Sequence, residues 1–297
     1  MTKMIWYVLS PLIALVVGIL LMGLSRKLLA RIHWRVGPPI LQPVIDLIRF
    51  LSQKSASHGF LFDSGLILSL AGSLVLTLFL PLGQYTPMSG SGGLLVILYV
   101  MLLGPLGIAF SSGGAANPYA SIGISRKLML AMGYELPLLL IVLTVMTGYR
   151  TISIVEVVRI QQAQGWAIAT FPLLLSALAY ILILPAILGM RPFEVVGAAQ
   201  EISSGPVVEF GGPHLALSTL QHALTTYIGL SLFVNLMLGG GSNPVFFLLK
   251  MLVVFVLCLC VHAVFPRFRV DQAIRYLWRW PALVAMAGLV LTVLMGG

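Results

Sequence analysis

The chain has 297 residues, of which 59% are hydrophobic and 8% charged, with a mean hydropathy of +1.06 and a formal net charge of +9. So little polar material cannot clothe a water-soluble core, which excludes a soluble globular domain. The basic surplus comes without an aromatic-interleaved basic patch or a nucleic-acid-binding module, so nucleic acid is excluded as a partner class.

Apolar runs of about 18 residues or more cross the roughly 30 Å hydrocarbon layer as helix. Eight runs are read as spans: residues 5–24, 62–82, 94–112, 128–148, 167–190, 215–238, 245–265 and a short eighth at 281–295. None alternates with period two, as barrel strands would. The prediction is an all-α polytopic membrane protein, residues 1–297 forming a single membrane domain of about eight transmembrane helices plus one amphipathic surface helix. The first run is too long for a signal peptide, and a basic segment follows it without a small-residue cleavage pattern.

Behind that first run, Arg26, Lys27, Arg31 and Arg35 follow closely enough to continue its helix, until Gly37-Pro38-Pro39 stops it. Leu41, Val44, Ile45, Ile48 and Leu51 then recur at helical spacing, with Asp46, Arg49 and Gln53 elsewhere on the wheel. This is the surface helix; periodicity alone fits an ordinary interfacial helix equally well.

The connections orient the chain. Thirteen of the seventeen Lys and Arg residues fall in the first, third, fifth and seventh connections: six from Arg26 to Lys54, then Arg126 and Lys127, Arg191, and Arg267, Arg269, Arg275 and Arg279. The other side holds Lys3, Arg150 and Arg159, and Lys250 lies inside a span, where it either snorkels or serves a function. The positive-inside rule places both termini outside a cytoplasmic (inner) membrane and the basic connections within. Glycine-rich stretches at 90–93 and 239–241 read as tight outside turns. Cys258 and Cys260 stand two apart on a helix, hence on different faces, and form no metal pair unaided. No Cys-x-x-Cys, P-loop or GxGxxG occurs, so no cofactor or metal is expected in this chain.

Most acidic residues sit on the basic side: Asp46, Glu194, Glu201, Glu209 and Asp271 in connections, Asp63 at a span's edge; Glu156 lies opposite, in a short amphipathic stretch. Glu135 alone falls within a span. A carboxylate there is costly unless neutral, paired or wet, which makes it a functional candidate, with a protonated core residue as the alternative. His222 and His262 are also intramembrane, His222 being the stronger relay candidate.

Four blocks then carry a resemblance along the whole chain. They are Arg26-Lys27-x-x-Ala30-Arg31-x-x-x-Arg35-x-Gly37-Pro38-Pro39-x-Leu41-Gln42-Pro43-x-x-Asp46; Asn117-x-Tyr119-Ala120-x-x-Gly123-x-x-Arg126 with Tyr134-Glu135; Pro192-Phe193-Glu194 with Glu201-Ile202-x-x-Gly205-x-x-x-Glu209-Phe210-x-Gly212; and Phe265-Pro266-Arg267-x-Arg269-x-Asp271-Gln272. In this order the chain resembles the subunit 1 family of NADH-quinone oxidoreductase, respiratory complex I, and its homologues in membrane-bound energy-converting hydrogenases. The resemblance implies a component of a multisubunit oxidoreductase that joins the membrane arm to the redox arm. Iron–sulfur and nickel–iron (or FMN) chemistry would lie in partner chains: an iron–sulfur small subunit, a hydrogenase- or quinone-type large subunit, and antiporter-like membrane subunits.

The same resemblance maps a proton or sodium pathway onto Glu135, Glu201, Glu209, Asp46 and His222. It maps docking or a quinone-like cavity onto Arg26, Arg31, Arg35, Gln42, Arg126, Tyr134, Phe193, Glu194, Arg267, Arg269 and Asp271. Departures favour the hydrogenase or formate hydrogenlyase type. The first loop is compact, Ile187, Gly197 and Ala199 stand where many relatives carry Glu, and Glu194 replaces an Asp. Arg191 stands one place from an expected Arg, His222 near a position often acidic, and His262 where Arg is common. The alternatives are a quinone-chamber subunit and a structural anchor.

Overall fold

The computed structural model describes residues 2–88, 93–115 and 117–295, the side chains of 2–4, 199 and 200 excepted. Most of the glycine-rich stretch at 90–93 lies outside the described residues. What is described is helical, the one β-type contact being an isolated bridge between Leu82 and Tyr85.

Helix α1 (Thr2–Ile32) carries Arg26, Lys27 and Arg31 as an unbroken extension of the apolar run. It ends a turn before Gly37-Pro38-Pro39, with Trp34 in the left-handed region at φ 58°. Gly37 is also left-handed, and a Cβ there would lie 2.7 Å from Ala30 Cβ, so the return turn needs glycine. Helix α2 (Gln42–Ser52) is the expected surface helix: Pro43 and Leu47 face the bundle, while Ile45, Ile48 and Leu51 stay exposed. Helix α3 (Phe60–Phe79) follows.

The third expected span is two pieces, α4 (Leu94–Met101) and α5 (Leu103–Gly113). Pro105 has no N–H to donate and its ring crowds the carbonyl four residues earlier, at Met101, where the helix breaks. Helix α6 (Pro118–Tyr149) begins ten residues before the expected 128, because Asn117 caps it by accepting the Tyr119 N–H and Pro118 suits its first turn. Arg126 and Lys127 therefore stand on a helix rather than in a connection. After α7 (Ile154–Gln164), the run expected at 167–190 is a 3₁₀ turn (Ala167–Ala169) and the 17-residue α8 (Phe171–Ile187).

The connection beyond α8 holds the short α9 (Ala199–Ile202) and a 3₁₀ turn (Gly205–Val207). Helix α10 (Gly212–Met237) is buried along most of its length. Then come α11 (Pro244–Val264) and α12 (Val270–Leu294). Helix α12 starts eleven residues before the expected 281, and Pro281 lies inside it, so Asp271, Arg275 and Arg279 are helical.

Six helical segments are long and apolar enough to cross a membrane: Ile5–Ile32, Phe60–Phe79, Leu94–Gly113, Pro118–Tyr149, Pro244–Val264 and Val270–Leu294. Of the other two expected spans, α8 is apolar but shorter. Helix α10 has the length but carries Ser218, Gln221, His222, Thr225, Thr226 and Asn235.

Helices approach closely where side chains vanish, as expected where lipid is as apolar as leucine. A Cβ on Gly18 of α1 would stand 2.3 Å from the Ala223 carbonyl oxygen of α10, and Gly65 and Gly107 let α3 meet α5 backbone to backbone. Helix α10 is thus the axis of the bundle, and its polar residues face the interior.

Candidate functional site

Three polar settings sit on this frame. The first is an internal chamber of about 320 Å³ walled by α3, α5, α6, α8 and α10 and roofed by the connection from Gly189 to Val207. Its polar lining includes Ser73, Lys127, Tyr134, Glu194, Ser218, Gln221, His222 and Thr225. The His222 ring has a large exposed area although it lies deep in the bundle, so that exposure is to the chamber. Ile187, Gly197 and His222, three of the positions where the resemblance puts acids, all line it.

The second is a charged cleft of about 350 Å³ that gathers Arg126, Glu194, Glu201, Arg267, Arg269 and Asp271. These residues come from α6, the α8–α10 connection and the start of α12. Glu194 Oε2 accepts from Arg191 at 3.1 Å and from Arg267 at 2.9 Å. Arg126 donates to Glu201 at 2.7 Å, and Arg269 faces Asp271 at 3.6 Å near solvent. Glu194 lines both the cleft and the chamber, so one carboxylate joins the two spaces.

Phe193, expected at a docking surface or cavity, is instead 2% exposed. It packs against Phe268 and Tyr276 with centroids 5.6 Å from each, and so anchors the α8–α10 connection to α12. The His262 ring Nδ1 accepts the Arg191 backbone N–H at 2.8 Å, which occupies that nitrogen in holding the same connection.

The third setting is lateral. Glu135 faces a groove with Tyr99, Met132 and Trp278 of about 330 Å³, and its Oε1 is buried with no hydrogen-bond partner among the described residues. Glu135, Glu201 and Glu209 therefore do not share one site. Glu201 is in the cleft, and Glu209 accepts from Asn117 and faces His58 at 3.5 Å. Tyr134 is the wall between chamber and groove, lining both.

In the first connection Asp46 accepts from Arg26 at 3.1 Å and from Gln42 at 3.0 Å, while Arg31 and Arg35 are exposed beside the fully projecting Trp34, 98% accessible. Sequence reasoning missed a tether nearby. His214 bonds Ser55 Oγ at 2.7 Å through Nδ1 and Asp63 at 2.8 Å through Nε2, and Ser57 donates to Asp63. His214 lies 159 residues from Ser55, so no local pattern could have linked them. Lys127, too, reads in the sequence only as an orienting charge, because the polar start of α6 looks like a connection. Among the described residues no three His, Cys, Asp or Glu are grouped to hold a metal ion, and Cys258 is buried while Cys260 is exposed.

Comparison with known proteins gives a consistent result. The profile of the family described as NADH dehydrogenase matches residues 4–293. Hydrogenase-4 component C of Escherichia coli (strain K12) is 30% identical over 94% of this chain and 92% of its own. A membrane component of the F(420)H(2) dehydrogenase of Methanosarcina acetivorans is 27% identical over 97% and 95%, respectively. Among solved structures, a chain of the membrane-bound sulfane sulfur reductase (MBS), an archaeal respiratory membrane complex, superposes with a TM-score of 0.95 at 37% identity. That match covers 98% of this chain and all of the other.

Proposed function

This chain belongs to the NADH dehydrogenase subunit 1 family, and we propose that within it the chain is the membrane-anchoring and coupling component of a hydrogenase-type oxidoreductase complex. The observation that carries the reading is the shared Glu194. A charged cleft fit for a hydrophilic partner and a polar chamber inside the bundle meet at one carboxylate held by two arginines. A partner that moves Arg126, Arg191 or Arg267 changes the charge balance at the chamber mouth, and a low-dielectric interior amplifies such a change.

In this reading the cleft and the exposed first connection, with Arg31, Arg35 and the Arg26–Asp46–Gln42 cluster, receive the small and large subunits of the redox arm. Iron–sulfur and nickel–iron centres lie in those partners, and this chain binds none. The ion route starts at Glu201 and Glu194, passes the chamber at His222 and Tyr134, and leaves through Glu135 towards an antiporter-like neighbour. Glu209 and Asp46 set the potential at its entrance. Both termini lie outside the cytoplasmic membrane. Hydrogenase-4 component C and the sulfane sulfur reductase chain, both at 30% identity or above, support the hydrogenase-side branch over NADH-quinone reduction.

The test is isolation of the intact complex in mild detergent, with mass spectrometry and metal analysis, followed by ion translocation in vesicles for Glu135→Gln. A nickel–iron large subunit with iron–sulfur partners, and translocation lost at retained turnover, are expected. Normal translocation by Glu135→Gln refutes the exit route. A flavin module without nickel, together with quinone bound beside the first and fifth connections, refutes the branch. It would instead establish the second reading, quinone reduction, for which the mixed polar and apolar lining of the chamber is the supporting observation.

A further inference from the structure

The chamber has an unbalanced lining. Lys127 lies deep among protein atoms, and the exposure it keeps is to the chamber. Its ammonium makes no hydrogen bond or ion pair among the described residues. The one carboxylate in the lining, Glu194, is taken by Arg191 and Arg267 and is not its counter-ion. The Gln221 amide N–H donates to Thr225. That leaves the Lys127 ammonium, the Tyr134 and Ser218 hydroxyls and the His222 ring as unpaired polar groups around one space. All four can donate, and one of them is a cation. A lone ammonium removed from bulk water is costly without an opposite charge or a full set of acceptors.

We infer that the chamber is a binding site for a small monovalent inorganic anion, anchored by Lys127 and completed by donors from Tyr134, Ser218 and His222. A metal cation is disfavoured by the same inventory, since the sole carboxylate is already neutralised. The volume of about 320 Å³ leaves the anion part of its hydration shell. The inference rests on the chamber lining alone and not on the coupling function proposed above, and its readout is thermal stability rather than turnover.

The protein is purified with the partners that accompany it and melted in gluconate, chloride or nitrate at constant ionic strength. Chloride or nitrate is expected to raise the melting temperature saturably, by roughly 2–4 °C relative to gluconate. Lys127→Met abolishes the rise and Lys127→Arg keeps it. Should Lys127→Met fail to accumulate, Ile187→Glu supplies an internal counter-charge in the same chamber and also abolishes the rise. An anion effect of equal size in Lys127→Met or Ile187→Glu overturns the site, as does the absence of any effect in the parent protein.

Discussion

Replacing Lys250 by Met tests how the buried end of α10 is completed. The last carbonyls of a helix have no partner within it, and where they are buried something else must donate to them. Gln161 from α7 donates to the Asn235 and Leu236 carbonyls at 3.3 and 2.8 Å, and Gln162 to Gly239 at 3.3 Å. Lys250, one helix further on, donates to the Leu238 and Gly240 carbonyls, both at 2.7 Å, with its ammonium 4.6 Å from the centre of the Trp166 ring.

Hydrogen bonds to a charged group contribute about 1.5–3 kcal/mol each on a mutational scale, and the cation–ring contact about 0.5–1 kcal/mol. The three interactions share one half-exposed ammonium, and water or a lipid headgroup can reach the freed carbonyls. The loss for Lys250→Met is therefore about 2–4 kcal/mol, or a fall in Tm of about 4–10 °C. The assay is differential scanning fluorimetry in nanodiscs of fixed lipid composition. Trp166→Leu should lower Tm by less, and the double variant by less than the sum of the two. A Lys250→Met protein melting within about 1 °C of its parent would mean that the ammonium sits in headgroups and does not cap α10.

Three other substitutions probe other parts of the bundle. Gly18→Ala forces α1 away from the Ala223 carbonyl and should cost about 1–3 kcal/mol, whereas Gly197→Ala, with nothing within 4 Å of the new methyl, should melt like the parent. Glu135→Leu removes a buried oxygen that has no partner among the described residues, so Tm should rise by the equivalent of about 1 kcal/mol while ion translocation falls; a loss of stability would show that the carboxylate is satisfied in the assembled protein. His214→Phe keeps an aromatic ring against Phe62 but loses the bonds to Ser55 and Asp63. Faster amide exchange across residues 53–59, without change elsewhere, is expected; unchanged exchange there would show that the tether does not hold this segment.

Local chemistry is legible where one segment decides its own conformation. The alternation around Leu41 to Leu51 marks the surface helix, because 3.6-residue periodicity is written in consecutive residues. The isolation of Glu135 in an apolar run marks it as intramembrane for the same reason. The ends of elements are less legible. Residues 118–127 and 270–280 read as connections because they are polar, yet the Asn117 cap and the Gln272 side chain, which accepts the Arg269 N–H at 3.1 Å, start helices there. Hydropathy reports where lipid is tolerated, not where backbone hydrogen bonding begins.

The sequence by itself determined class, the membrane-spanning character of the chain and the side on which its charges gather, because these follow from sums over composition and from short-range periodicity. Which charges meet was decided by tertiary structure. Glu194 is bound by Arg191, three residues away, and by Arg267, 73 residues away; Glu201 is bound by Arg126, 75 residues before it. Such pairings depend on how α6, α10 and α12 cross, and the crossings depend on absent side chains such as those of Gly18, Gly65 and Gly107. The chamber arises in the same way, from five helices each contributing one wall. A cavity is a property of packing, and no single stretch of chain contains it.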